Sequence, residues 1–320
     1  MPDPSTLDLG ILAAGAIIGG IYLLTLGGGW TITAAIAVAE RARLSRMFIG
    51  ATIVAFGTSV PELFTSVNAN LQGEPDIALG NVVGSNVANI LLVIGAAALV
   101  CPLAARRRTV ARDLALMLVA TAILVAGMLY GVFTTWMGAG MFALLVAFVV
   151  WQYLRREIDV SEVEEVEMSV PAAALRLLAG IGALLIGSEL LIRGAVVAGG
   201  VLGVPDAVIG LTAVAVGTSL PELTASVAAA ARRETDLIFG NIIGSNAFNI
   251  LSIVALTAVI KPLAVDPELL GVELWVMAGA AMGFAALLMV GVTITRPLGV
   301  AFLAAYAAFT LYLFRGLAGA

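Results

Sequence analysis

Polar breaks divide the chain into apolar runs at 9–40, 47–71, 77–100, 113–133, 134–154, 171–202, 206–230, 237–260, 269–291 and 297–316. Each reaches the roughly 20 residues that a helix needs to cross a bilayer, so the pattern predicts ten transmembrane helices. The first and sixth runs exceed that length, which predicts tilted spans. Trp136 and Trp151 sit near the two ends of the fifth run, where interfacial aromatics belong. The expected fold class is an all-α polytopic membrane protein with two sets of five helices, at 1–154 and 171–320. Residues 155–170 form an acidic linker between them.

Composition agrees. Hydrophobic residues make up 61% of the chain and charged residues 12%, with a mean hydropathy of +1.10. A soluble domain carries about twice that charged fraction. With the N-terminus placed outside, thirteen of the sixteen Lys and Arg residues fall on the cytoplasmic side, leaving only Arg193, Lys261 and Arg315 outside. That positive-inside bias predicts a plasma-membrane protein with both termini outside and the linker 155–170 cytoplasmic. The first basic residue is Arg41, so the first run reads as a retained helix and not as a cleaved signal. One cysteine, Cys101, excludes an internal disulfide and a thiolate cluster, and the absence of histidine removes the commonest metal ligand. No cofactor motif, enzyme motif or nucleic-acid signature is present.

The second signal is a repeat. Residues 50–95 and 210–255 align without a gap, and roughly half the positions are identical. Both copies read G-T-S-x-P-E-L and then G-N-x-x-G-S-N-x-x-N-I-L. An odd number of spans per set sends the second copy into the membrane from the opposite side. Inverted-topology repeats of this kind place a transporter's site where the repeats meet.

The motif's residue types say what such a site could hold. Pro61 has no N–H for the carbonyl of Gly57, so carbonyl groups from Ala55 to Thr58 are expected to lose helical partners, and likewise around Ala215. Freed backbone is tolerated at membrane depth only where it lines a polar cavity. The second, third, seventh and eighth helices are therefore expected to be broken around a midplane ion site. Thr58, Ser59 and Glu62 add oxygens there, matched by Thr218, Ser219 and Glu222. Ser85 and Asn89 share a helix face four residues apart, as do Ser245 and Asn249. Gly80, Gly84, Gly240 and Gly244 let neighbouring backbone approach. Asn86 and Asn246 fit interhelical packing better than ligation. A carboxylate at a span's centre costs about 2.5–3.5 kcal/mol, and no basic residue lies at similar depth to Glu62 or Glu222. Only a cation or a proton can neutralise them. Oxygen-only ligands suit Ca²⁺, Na⁺ or Mn²⁺. Glu189 and Arg193, four apart, read as a local ion pair instead.

The stretches "AFGTSVPELFTS…GNVVGSNVANI" and "AVGTSLPELTAS…GNIIGSNAFNI" resemble the α-1 and α-2 repeats of sodium/calcium exchangers, within the calcium/cation antiporter superfamily, and the short chain resembles its prokaryotic members. The resemblance implies sodium/calcium antiport by alternating access, with Glu62 and Glu222 shared between Ca²⁺ and Na⁺. It implies that Thr58 and Thr218 complete the calcium site. The carbonyls of Ala55 and Ala215, with Ser59, Ser85, Ser219 and Ser245, would form flanking sodium sites, and Asn89 would contribute at the middle. One position departs: many members of the family carry aspartate where this chain has Asn249. Two carboxylates then set the site's charge, which predicts electrogenic exchange and argues against potassium co-transport. A divalent cation/proton antiporter is the alternative, with protons taking sodium's place on the glutamates. A sodium-coupled solute symporter is the reading from another class, and it would need an apolar or anion-binding pocket that the motifs do not supply.

Overall fold

The structure is a computed structural model that describes residues 4–155, 168–201 and 217–318. Most of the linker 155–170, Ala215 and the start of the expected seventh span lie outside the described residues. Helix α1 (Pro4–Ala42) is followed by α2 (Arg46–Thr58), α3 (Val60–Gln72), α4 (Pro75–Val100), α5 (Arg107–Tyr130) and α6 (Thr135–Leu154). Next come α7 (Val170–Val201), α8 (Leu220–Ala231), α9 (Thr235–Ile260), α10 (Val272–Val290) and α11 (Arg296–Ala318). Among the described residues eight helices are long and apolar enough to cross a membrane, and the bent pair α2–α3 makes a ninth.

Local chemistry sets the helix ends. The Ser45 hydroxyl caps α2 by accepting from the Phe48 N–H at 3.1 Å. Gly73 and Gly131 close α3 and α5 in the left-handed conformation (φ 93° and 91°), which a side chain would strain. Between the helices, β1 (Val132–Phe133) pairs antiparallel with β2 (Leu263–Ala264), and Leu103 bridges Ile294. Each contact ties a connection of the first half to one of the second.

Helices α4 and α9 are the interior of the bundle: 78% and 83% of their apolar windows are buried, against 17% for α1. Around them, Leu12, Trp136 and Val290 are among many large apolar side chains left exposed, as a lipid-facing surface requires. The two longest helices pack along a seam of small residues. A Cβ on Gly20 would stand 2.7 Å from the carbonyl of Gly187, and one on Gly27 would stand 2.8 Å from that of Gly180. The predicted pair Glu189–Arg193 forms at 2.5 Å on the exposed face of α7.

Two expectations need correction. The third and eighth spans are not broken: α4 and α9 run on without interruption, each widening into one π-helical segment, Asn89–Val93 and Asn249–Val254. Neither contains a proline past its first turn, and a π turn keeps its backbone groups paired while adding a residue. The break in the second span is real, a 45° bend at Ser59 between α2 and α3. The carbonyl of Ala55 is nevertheless not left free, because it accepts the Ser59 N–H at 3.1 Å and the Thr58 hydroxyl at 3.3 Å.

Helix α9 crosses α2 at its π segment Gly50–Val54, backbone on backbone. A Cβ built on Gly244 would lie 2.6 Å from both the Cα and the carbonyl oxygen of Ala51. Among the described residues Gly80 and Gly84, the counterparts in α4, meet no such neighbour within 4 Å. Gly244→Ala should therefore destabilise the protein by about 1–3 kcal/mol, the usual range for overpacking. Thermal unfolding of the purified protein in detergent measures this, and an unshifted transition would mean that α2 can withdraw freely.

Candidate cation-binding site

Each copy of G-T-S-x-P-E-L folds into the same turn. Ser59 (φ −84°, ψ 8°) and Ser219 (φ −86°, ψ 3°) both sit in the sparsely populated bridge region, ahead of a helix that carries proline in its first turn. The turn puts Glu62 at the start of α3 and Glu222 at the start of α8, where the positive end of a helix dipole faces negative charge. Both glutamates are buried, at 0% and 1% exposure. Helix α7 lies over both turns: a Cβ on Gly57 would collide with Ile181, one on Gly217 would collide with Ile192, and the Ser188 hydroxyl donates to the Gly217 carbonyl at 2.5 Å.

The two copies meet crosswise. The Ser59 hydroxyl donates to Glu222 Oε1 at 3.1 Å, and Thr58 faces the same carboxylate while donating to the carbonyls of Val54 (3.1 Å) and Ala55 (3.3 Å). In the other direction Thr218 faces Glu62, outside hydrogen-bond geometry. The two carboxylates are close enough to repel one another.

Helices α4 and α9 supply the amides. The Asn89 N–H bonds the Ser85 carbonyl and the Asn249 N–H bonds that of Ser245, which holds α-helical register up to the π segments and keeps each Ser and Asn on one face. Asn89 Nδ2 donates to Asn246 Oδ1 at 3.0 Å, and Asn249 Nδ2 donates to Asn86 Oδ1 at 3.1 Å. Asn86 and Asn246 in turn reach the sulfurs of Met277 (3.9 Å) and Met117 (3.8 Å). Every one of these contacts has a counterpart 160 residues away. Because their NH₂ groups are taken, Asn89 and Asn249 each keep a carbonyl oxygen with no partner.

What remains is a set of buried oxygens without hydrogen bonds: both of Glu62, Oε2 of Glu222, Oδ1 of Asn89 and of Asn249, and the hydroxyls of Ser219 and Ser245. Such atoms are rare in a folded interior and cost about 1–3 kcal/mol each unless something binds them. Ser85 is buried too, at 4% exposure. Among the described residues no three His, Cys, Asp or Glu side chains cluster, so the remaining donors are neutral oxygens. A shell of about seven oxygens with two acids is what a Ca²⁺ ion takes, and smaller subsets suit Na⁺. The structure links Thr58 and Ser59 to Glu222 and Thr218 to Glu62, and buries Ser85, Ser219, Ser245, Asn89 and Asn249 as well; Ala215 lies outside the described residues. Sequence reasoning missed the orienting role of Asn86 and Asn246, and also Met117, Met277 and Ser188. The 160-residue offset that pairs Met117 with Met277 was the available signal.

The residues 12–154 and 172–315 match the family described as sodium/calcium exchanger protein. Over 275 residues, 83% of this chain, it is 37% identical to CaxA of Alkalimonas amylolytica, covering 86% of that protein. It is 30% identical to the sodium/calcium exchanger MaX1 of Methanosarcina acetivorans across 92% of this chain and 96% of the relative. A solved structure of the sodium-calcium exchanger NCX_Mj, soaked with Na⁺ and Sr²⁺, superposes with a TM-score of 0.80 at 32% identity, covering 93% of this chain and 97% of that one.

If the asparagine pairs aim oxygens at a cation, Asn246→Leu should free the amide of Asn89 and lower calcium affinity by about 10- to 100-fold, the usual effect of losing an orienting partner. Calorimetric titration of the purified variant checks this. Parental affinity would show that Asn89 needs no such support.

Proposed function

The chain belongs to the sodium/calcium exchanger family, and from that premise we propose that it exchanges sodium for calcium by alternating access at the two-glutamate site. It is a membrane transporter, not an enzyme. The observation that carries the ion assignment is the set of buried, unpartnered oxygens around Glu62 and Glu222. Calcium would bind both glutamates with Thr58 and Thr218. Sodium ions would share the glutamates and use Ser59, Ser85, Ser219, Ser245, Asn89, Asn249 and the backbone at Ala215; the Ala55 carbonyl would join them on releasing the Thr58 hydroxyl. The domain plan is two five-helix repeats, 1–154 and 171–320, of opposite topology, with ten spans in all. The matched contacts 160 residues apart support that plan, as does the cross-pairing of Ser59 with Glu222. The arginine-rich side, with the linker 155–170, is read as cytoplasmic, in the plasma membrane with both termini outside.

Charge decides the energetics. Two carboxylates neutralise one Ca²⁺, whereas a load of three Na⁺ leaves one positive charge. Neither Asn89 nor Asn249 can ionise to change that count. One net charge crossing the membrane is worth about 2.3 kcal/mol per 100 mV, which shifts the equilibrium calcium ratio about fiftyfold. Calcium uptake into proteoliposomes should therefore follow an imposed potassium-diffusion potential and an imposed sodium gradient. Uptake that follows a proton gradient and ignores sodium would replace this reading with divalent cation/proton antiport. In the same assay Glu62→Gln and Glu222→Gln should each abolish flux in a protein that still folds, since removing charge from a membrane interior does not destabilise it. Near-normal flux in either variant would remove that residue from the site.

The moving part is the pair α1–α7. It is held together by its own seam, and its α7 covers both turns, while the second half of α1 packs into the core. A Cβ at Gly28 of α1 would touch Thr224 of α8 (3.1 Å to Cγ2), close enough for a disulfide. With Cys101 replaced by serine, oxidised Gly28→Cys/Thr224→Cys should lose exchange and regain it on reduction. Full exchange by the quantitatively oxidised protein would assign the movement elsewhere.

A further inference from the structure

One buried carboxylate takes no part in this site. Asp113 lies in the second turn of α5, on the arginine-rich side, at 7% exposure. Gln152 of α6 donates its Nε2 to Asp113 Oδ1 at 2.7 Å, which leaves the Gln152 carbonyl oxygen available as an acceptor. Both residues line a void between α2, α5, α6 and α9, together with Thr52. The Thr52 hydroxyl spends its proton on the Phe48 carbonyl at 2.7 Å, so its lone pairs are also available. The void has room for about one water-sized particle. Arg112 and Arg155 both stand over the ring of Trp151, at 5.7 and 5.9 Å.

The far wall of this void is Phe248, and Phe248 also walls a second void that contains Ser59 and Ser252. Phe56 packs edge-on against Phe248 at 6.0 Å and lines the second void. Ser59 is the residue that touches Glu222. Two voids that share Phe248 therefore hold Asp113 in one and, in the other, Ser59, whose hydroxyl touches Glu222.

We propose that the Asp113 void is a second cation site, a station for Na⁺ or Ca²⁺ on a route between the arginine-rich face and the glutamates, with Phe56 and Phe248 as the barrier between. The proposal rests on the exchanger reading for its direction of traffic, but not for the binding itself. Three features support it. The donors are a carboxylate, a hydroxyl and an amide oxygen, the hard set that these ions take. Asp113 is buried at the arginine-rich end of its span, within reach of the Arg112 charge, where a route from that face to the interior would begin. A single carboxylate binds weakly, and a station on a route must release what it binds.

The test separates the station from the main site. The full-length protein with Glu62→Gln and Glu222→Gln is titrated with Tb³⁺ in zwitterionic detergent, and luminescence is excited through tryptophan, since Trp151 adjoins Gln152. The expected result is a saturable signal that millimolar Ca²⁺ displaces. Asp113→Asn, which keeps an acceptor for Gln152, should weaken it at least fivefold. Thr52→Val leaves the Asp113–Gln152 bond intact and should weaken it too, so a misfolded Asp113→Asn protein does not end the test. No saturable signal, or one that both substitutions leave unchanged, overturns the proposal. In otherwise parental vesicles, Asp113→Asn should raise half-saturating calcium severalfold on the arginine-rich side and not on the other; equal values on both sides overturn the route. Absence of exchange in the parent would defeat the exchanger reading alone, because the terbium titration needs no transport.

Discussion

Two like-charged carboxylates, Glu62 and Glu222, are buried at matched turns, and among the described residues no basic side chain forms an ion pair with either; the rest of the molecule follows from that constraint. Uncompensated charge in a membrane costs several kcal/mol, more than any single packing contact returns. Such an arrangement needs a cation or a proton to neutralise it. Glu62 and Glu222 sit at helix starts, behind identical bridge-region serines, because that is where a broken span offers a favourable dipole. Around them the chain keeps hydroxyl and amide groups, and the atoms left free are all oxygens with lone pairs to offer.

That polar cluster forces the interior to be close-packed elsewhere. Helices α4 and α9 are as apolar as lipid-facing spans, yet they are the most buried in the molecule. They carry Ser85, Asn89, Ser245 and Asn249, which must stay fixed while something else moves. Glycines at 240 and 244 bring α9 against the backbone of α2, so the ligand-bearing helices lock together through main chain. Helix α7 meets the two turns through Ile181, Ser188 and Ile192. A cage of buried oxygens covered by a helix pair with its own seam is a structure divided into a binding part and a covering part.

The apolar helices and the two turns that carry Glu62 and Glu222 were legible in the sequence because their signals are local. Length and hydropathy mark spans, and proline, glycine and glutamate in an apolar run mark a turn that needs polar company. The π segments were not legible. Nothing in N-I-L-L-V or N-I-L-S-I-V distinguishes an i→i+5 turn from an α turn, and the widening follows from how α4 and α9 pack. The Ala55 carbonyl was misjudged for a related reason: proline removes one donor, but Ser59 in the bridge region supplies its own N–H to Ala55. The orienting role of Asn86 and Asn246 depends on a partner 157 or 163 residues away, which no local pattern reveals.

Those asparagine pairs also explain how the chain tolerates an amide at 249, where many relatives of its motif carry an acid. Asn249 donates to Asn86 Oδ1, and its own oxygen stays buried without a partner. An aspartate at 249 would confront that same Oδ1 with a second acceptor. It would have to carry a proton of its own or force Asn86 to turn over, and Asn86 now spends its NH₂ on a weak contact to the Met277 sulfur at 3.9 Å. The weakness of that contact matters, because little is lost if the amide flips. Asn86 can therefore serve an amide, a protonated acid or an ionised one at 249. The residue that sets the site's charge can change while the cage that aims its oxygen stays the same.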